Sequence, residues 1–288
     1  MFNFLKFTWL YVLISAIVIG SGLFSIFKWG FKYSIDFVGG TNLEYQFNKK
    51  VNTSQIKKIL INNKIELQEI SVNNEKYLIR TAPMDEQKET KIRSVMEQNL
   101  KVKITVLRSE TVGPILGKET MTKTLIASIL GILGILIYMS FAFKNFYFAL
   151  SAVLAMVHDF LVVVGIYSLM SHFFGAQVDT MFVTAVLTTM SFSVHDTIVI
   201  FDKIREYFNI EGKGDLGHYA NKALTETMVR SINNSMTIVF MLLALVLMGG
   251  STIKFFAATL LVGTITGTYS SPFIATPILV WIEKRKKK

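Results

Sequence analysis

Long apolar runs separated by short charged stretches dominate this sequence. Phe7–Phe27 contains no charge, and further runs follow at about Thr124–Phe143, Phe146–Met170, Thr180–Phe201, Ile232–Gly249 and Phe255–Ile282. Each reaches or approaches the ~20 residues that, at ~1.5 Å per residue, cross a hydrocarbon layer ~30 Å thick. The pattern predicts a polytopic α-helical membrane protein with six transmembrane helices. The first run exceeds the ~7–15 apolar residues of a cleaved signal peptide and precedes no small-x-small site, so it is expected to be retained as a span.

Between the first two runs the period changes. Leu43, Tyr45 and Phe47 alternate with Glu44 and Gln46, which predicts a half-buried strand. Thr53 and Ser54 can cap a helix whose apolar positions Ile56, Ile59 and Leu60 fall at helical spacing. Ile65–Val72 reads as a strand, Asn73-Asn74 as its turn and Tyr77–Thr81 as the returning strand. Pro83 opens a polar helix to about Leu100, and Val102, Ile104 and Val106 alternate in a last strand. The order strand–helix–strand–strand–helix–strand is that of an α+β ferredoxin-like domain. The predicted organisation is therefore residues 1–27 for the N-terminus and first span, and 28–123 for this domain. Residues 124–282 form spans two to six with a loop at about 202–231, and 283–288 form a basic tail.

Composition narrows the function classes. Only 17% of the 288 residues are charged, against ~25% in ordinary soluble domains, and 51% are hydrophobic. There is no Cys, which excludes a disulfide scaffold, an iron–sulfur protein and a thiol nucleophile. The net charge of +10 has a topological explanation. Lys203, Arg205, Lys213, Lys222 and Arg230 lie between spans four and five, and Lys284–Lys288 form the tail, with Lys6 and Lys144 at other short ends. The turn at 171–179 has no Lys or Arg, and the 249–254 turn only Lys254. Basic residues mark the cytoplasmic side, so both termini are expected there and the 28–123 domain outside. That domain holds about +6 of the net charge, with no nucleic-acid-binding motif behind it. The basic tail reads as a stop-transfer and topology signal, and binding of anionic lipid head groups or acidic rRNA is the sharper alternative.

The candidate chemistry lies inside the apolar runs, where an ionisable side chain costs ~2.5–3.5 kcal/mol on insertion scales. Span three contains His158-Asp159, span four His195-Asp196, and Arg230 stands with Asn233 and Asn234 at the entry to span five. Ser193 and Thr189 share the helix face of Asp196, while Ser191, Thr188 and Thr184 follow His195. The plainer readings are an arginine that snorkels to the interface and carboxylates that hydrogen-bond within the bundle. The sharper reading makes Asp159, Asp196, His158, His195 and Arg230 proton-transfer candidates. Gly263, Gly267 and Ser271 form a small-residue seam in span six, beside Pro272 and Pro277, compatible with close packing and with gating alike. Asp36, Gly39 and Gly40 mark a tight turn before the first strand. No catalytic constellation, cofactor loop or metal-ligand set stands out. The 28–123 domain contains no His, and its carboxylates read as solvated.

These residues resemble the SecF family of the bacterial protein translocase over nearly the whole length. The resemblance is carried by Asp36-Phe37-Val38-Gly39-Gly40-Thr41, Val112-Gly113-Pro114, His158-Asp159, the Asp196–Glu206 run, Arg230-Ser231-Ile232-Asn233 and Gly267-Thr268-Tyr269-Ser270-Ser271. It implies a six-span half of the resistance–nodulation–division (RND) architecture in the bacterial inner membrane, paired with SecD. It also implies a non-enzymatic role in which the proton motive force helps polypeptides emerge from the SecYEG channel. SecD, SecYEG, YajC, the translocating unfolded polypeptide and membrane lipids are the implied partners. The family's proton-transport charges map onto Asp196 and Arg230, and a SecD carboxylate completes the set. His195 departs from the family's usual Asn, Ser34 from Gly and Asn234 from Thr. Two alternatives stay open, a proton-driven RND-type exporter of small molecules or lipids and a structural scaffold for SecD. The coupling ion, proton or sodium, also stays open.

Overall fold

The computed structural model describes residues 3–73, 76–143, 145–212 and 214–286. Asn74 of the expected turn, and Lys144, Lys213, Lys287 and Lys288 of the charge argument, lie outside these residues. The chain divides into two compact units, Met1–Lys32 with Ala127–Lys288, and Tyr33–Ile126.

The smaller unit begins with β1 (Lys32–Tyr33, shared with the unit boundary) and one helical turn, α2 (Ile35–Val38). It continues through β2 (Gly40–Phe47), α3 (Thr53–Asn62), β3 (Leu67–Asn73), β4 (Lys76–Thr81), α4 (Glu86–Leu100) and β5 (Ile104–Val112). The four strands β2–β5 form one sheet in the order β3-β4-β2-β5, and every neighbouring pair is antiparallel. Leu43, Tyr45 and Phe47 do point into the core, where they meet Ile56 and Leu60 of α3 and Ile92 and Met96 of α4. The helix starts differ from expectation by a residue or more. Asn52 caps α3 by accepting from the Ser54 N–H at 2.9 Å, and Asp85 caps α4 by accepting from the Lys88 N–H at 2.7 Å. Pro83 stays outside the helix because the Asx cap two residues on sets its start.

One expectation is corrected here. Glu89 is not a solvated carboxylate. It is buried, accepts a 2.6 Å bond from the Tyr45 hydroxyl and lies 3.8 Å from Arg93. Burial, and then the bond to Glu89, hold the Tyr45 phenol well above its ordinary ionisation range.

The larger unit is helical: α1 (Thr8–Trp29, after a 3₁₀ turn at Phe4–Phe7), most of α5 (Pro114–Ala142), α6 (Phe146–Phe174), α7 (Thr180–Glu211), α8 (Leu216–Met248), α9 (Ser251–Ser270) and α10 (Thr276–Lys286), with the short strand β6 (Gln177–Val178) between α6 and α7. Among the described residues, five helices are long and apolar enough to cross a membrane: Phe4–Trp29, α5, α6, α7 and α8. The sixth apolar run is not one α-helix. A π turn at Ser271–Ala275, containing Pro272, separates α9 from α10. Proline has no N–H to give the preceding turn, so the hydrogen-bond register widens there.

The expected loop at 202–231 is also mostly helix. Helix α7 runs on to Glu211 and α8 starts at Leu216, leaving a connection of a few residues. Phe201, Ile204 and Tyr207 on α7 and Ala220 and Leu224 on α8 are buried. Their charged faces are tied by Lys203–Glu226 at 3.4 Å and by Lys222–Glu211 at 2.5 Å. The charges that suggested a loop are the outer faces of two amphipathic helix extensions. Likewise α5 begins at Pro114, about ten residues before its apolar run.

Candidate functional site

Glycine contacts at two helix pairs, α1–α6 and α7–α9, bring the helices of the larger unit together. A Cβ on Gly22 of α1 would lie 2.6 Å from the Gly165 Cα of α6. A Cβ on Gly263 of α9 would overlap Thr189 Cγ2 of α7, and one on Gly267 would lie 3.1 Å from the Ser193 Cα. Helix backbones approach this closely only where side chains are absent. The expected seam of Gly263, Gly267 and Ser271 therefore packs on α7, and Ser271 donates towards the Ser193 carbonyl oxygen at 3.3 Å.

This packing surrounds Asp159, which is 3% exposed. Its Oδ2 accepts from the hydroxyls of Ser193 on α7 and Ser270 on α9, the latter at 2.6 Å. Its Oδ1 lies 2.8 Å from His158 Nδ1. The other imidazole nitrogen, Nε2, is 2.9 Å from Ser15 Oγ of α1. Ser15 Oγ is 3.5 Å from the Tyr269 hydroxyl, which donates to the Tyr11 carbonyl oxygen at 2.9 Å. The His158–Asp159 pair thus joins α1, α6, α7 and α9. Ser270 is the last residue of α9, directly before the π turn, and Thr197 Oγ1 lies 2.9 Å from Ser271 Oγ. A carboxyl group in such surroundings needs hydrogen-bond partners on both oxygens, and it has them.

Asp196 occupies a different place. Its Oδ2 accepts a 2.7 Å bond from Ser231 of α8, and it is half-buried. A small cavity beside it is lined by His195, Asn234, Ser235, Thr264 and Thr268. Thr268 of α9 donates to Ser235 of α8 at 2.6 Å. His195 and Arg230 are exposed, and among the described residues Arg230 makes no ion pair with Asp196. The expected sharing of one face by Thr189, Ser193 and Asp196 does not make one site. Ser193 serves Asp159, Thr189 packs on Gly263, and Asp196 turns to α8. The carboxylates of α6 and α7 therefore have separate hydrogen-bond partners. The sequence alone does not place Ser15, Tyr269 or Ser270 beside His158–Asp159, because residues far apart in the chain meet only when α1 and α9 pack on α6.

The turn at Asp36–Gly40 lies in the smaller unit. Ser34 Oγ accepts from the Asp36 N–H at 3.0 Å and starts the α2 turn. Gly39 and Gly40 have φ of +76° and +137°. A Cβ on Gly39 would meet the Pro114 Cα at 2.9 Å, and one on Gly117 would meet the Gly39 nitrogen at 2.8 Å. The glycines let the start of β2 lie backbone to backbone against the first turns of α5.

Comparison with known proteins places these features in one lineage. Residues 91–285 match the family described as protein export membrane protein SecD/SecF, C-terminal, and residues 24–51 match the SecD/SecF GG motif. The chain belongs to the SecD/SecF family. Over 97% of its length this SecD/SecF chain is 38% identical to the protein translocase subunit SecF of Anaerolinea thermophila, covering 94% of that protein. It is 30% identical to the protein translocase subunit SecDF of Thermus thermophilus over 91% of its own length, and covers 36% of that longer protein. The crystal structure of Thermus SecDF, a translocon-associated membrane protein, superposes with a TM-score of 0.86 at 29% identity. That match takes in 99% of this chain and 39% of the SecDF chain. Within the SecD/SecF family, the glycine turn at Gly39–Gly40 falls inside the GG motif, and the Asp159 and Asp196 sites fall inside the C-terminal region.

Proposed function

We propose that this chain is a multi-pass accessory subunit of protein translocation across the bacterial inner membrane, and that it couples export to the proton motive force. It is a non-enzymatic transport subunit. The SecF relatives at 31–38% identity support the translocation role. The coupling reading is carried by one observation: Asp159 and Asp196 sit among helices long and apolar enough to cross a membrane. A carboxylate there holds a proton or a charge at a free-energy difference that the membrane potential can drive, ~2.3 kcal/mol per charge per 100 mV.

In this reading Asp196 and Arg230 form this chain's share of the proton path, with His195 beside them and His158–Asp159 as a second station. The broken α9–α10 segment makes the sixth span. The strand order of the smaller unit supports a ferredoxin-like domain, which stands outside the membrane while both termini face the cytoplasm. SecD is the partner that supplies the missing spans and the opposing carboxylate, as the fused SecDF relative suggests. The SecYEG channel, YajC and the emerging polypeptide complete the assembly.

The deciding experiment replaces Asp196 with Asn and measures protein export in energised inner-membrane vesicles. Loss of the proton-driven part of export, with assembly intact, is expected. Normal export with intact assembly leaves a structural scaffold for SecD. Recovery of the chain with an outer drug-efflux component instead of SecD establishes the small-molecule exporter reading.

A further inference from the structure

The protons on the chain of groups around His158 can be counted. Tyr269 has one hydroxyl proton, and it goes to the Tyr11 carbonyl oxygen. The Tyr269 oxygen is left as an acceptor for Ser15, and Ser15 also reaches His158 Nε2. On the other side of the ring, Nδ1 meets Asp159 Oδ1, while Oδ2 takes two hydroxyl donors.

Two proton inventories fit the contacts of the imidazole, and only the second puts a proton between Ser15 and Tyr269. In the first, Ser15 donates to a neutral His158 at Nε2, and Nδ1–H donates to the Asp159 carboxylate. In the second, one additional proton is bound at Nε2. That N–H now donates to the Ser15 oxygen, and the Ser15 hydroxyl turns to Tyr269. One N–H bond forms and no bond breaks. The Nδ1 proton can then pass to Oδ1, which leaves a neutral imidazole and a carboxylic acid.

We propose that Ser15 and Tyr269 are positioning residues that let the His158–Asp159 pair take up and release one proton at His158 Nε2. The inference rests on the proton-coupled reading and names the residues that serve its second station. Ser15 is the pivot, and Tyr269 is the acceptor that Ser15 needs only when the site is loaded. Without the Tyr269 oxygen the loaded state strands the hydroxyl of Ser15, which is only 7% exposed, and an unmade buried bond penalises that state alone. Loading also changes what Oδ2 offers to Ser193 and Ser270, and Ser270 abuts the π turn. Proton occupancy is thereby linked to the place where α9 breaks.

Other titratable groups lie on the packed elements. Helix α1 carries Tyr11 and, at its C-terminal end, Lys28; α6 also carries Tyr147 and Tyr167; and α9 brings Tyr269, with Lys254 at its opposite end. On α7, His195 is exposed, Asp196 is bonded to Ser231, and Asp202, Lys203, Arg205, Glu206, Tyr207 and Glu211 follow towards its C-terminal end. Helix α10 has Glu283, Lys284 and Arg285 near its C-terminal end, and His172 lies in the last turn of α6, stacked on Trp29 at 3.9 Å. Among the described residues, His158 is the one basic side chain that Asp159 has within ion-pair distance.

The test titrates the full-length chain in phospholipid vesicles. The His158 ring nitrogens are followed by ¹⁵N NMR, and the Asp159 carboxylic C=O band by infrared difference spectroscopy. Tyr269→Phe, which removes no atom bonded to His158, is expected to weaken proton uptake about tenfold, and Ser15→Ala at least as much. Ser15→Thr keeps the hydroxyl and is expected to titrate within about threefold of the unaltered chain. Unshifted midpoints in Tyr269→Phe and Ser15→Ala overturn the inference, as does an equal loss in Ser15→Thr. The NMR reading needs no substitution of Asp159, so a poorly folding Asp159→Asn variant does not block the test. Export that is indifferent to Asp196→Asn overturns the proposed function alone, because the titration is read without transport.

Discussion

Gly267 and Ser193 are so close that a Cβ on the glycine would lie 3.1 Å from the Ser193 Cα. The same contact that packs α9 on α7 holds the Ser193 hydroxyl on Asp159. Gly267→Ala is expected to move the helices apart by a few tenths of an ångström and to cost ~1–3 kcal/mol as an overpacking change. Gly263→Ala is expected to be worse, since its Cβ would overlap Thr189. Thermal unfolding of the purified chain in detergent checks the order, with Gly20→Ala, which has open space around it, as the unaffected control.

The GG turn makes a second prediction. Gly40 combines a φ of +137° with a Cβ direction that meets the Thr81 carbonyl oxygen at 2.9 Å. Gly40→Ala therefore carries both backbone strain and a clash, and strain of this kind costs ~1–3 kcal/mol. The expected result is faster proteolysis within residues 33–126 of the full chain, with no change in cleavage of the helical connections.

The buried Tyr45–Glu89 bond predicts an alkaline transition. Its pKa is raised in the folded state, so the phenol contributes stability that is fully present below its unfolded value of 10.0 and is lost as the pH rises beyond it. Hydrogen exchange of β2 and α4 amides in the full chain is expected to accelerate above that pH. Tyr45→Phe is expected to flatten the pH dependence while lowering protection at neutral pH by ~1–3 kcal/mol, because Glu89 loses its buried donor.

Arg80 gives the opposite sign. It is buried with Nε and Nη2 unpartnered among the described residues, and burial pushes its guanidinium below the ordinary value, while Glu69 and Asp36 act to raise it. The register places it across from Asn42, whose Oδ1 is also buried without a partner. Removing an incompletely paired buried charge in favour of an apolar side chain of similar volume is neutral or stabilising by ~1–4 kcal/mol. Arg80→Met is expected to increase exchange protection in β4. A drop in protection refutes this account of Arg80.

Much of the fold could be read from periodicity. The alternation at Leu43, Tyr45 and Phe47 and the helical spacing of Ile56 and Leu60 both point into one core, because a strand and a helix must bury one face each. Boundaries were harder. Charges at 202–231 looked like a loop, since composition does not distinguish an exposed helix face from an exposed connection. Pro83 looked like a helix start until Asp85 proved to hold the cap. The site was half legible. Asp159 and Asp196 stood out because ionisable groups are expensive in apolar runs. Their separation into two sites was not visible, since Ser193 and Asp196 lie less than one helical turn apart in the chain.

The order of residues alone was enough to establish helices with polar groups inside them, an α+β segment between the first two apolar runs, and the membership that the GG turn and the aspartates imply. These follow from local physics: the period of apolar positions, the cost of a charge in hydrocarbon and the φ that only glycine adopts without strain. Which groups meet was decided by tertiary packing. His158 finds Ser15 across 143 residues, and Asp159 finds Ser270 across 111. Such pairs depend on the rotation of each helix about its axis and on glycines that let backbones close to contact. Neither is encoded in the residues that bond. They are set by the fit of every other side chain along the same interfaces.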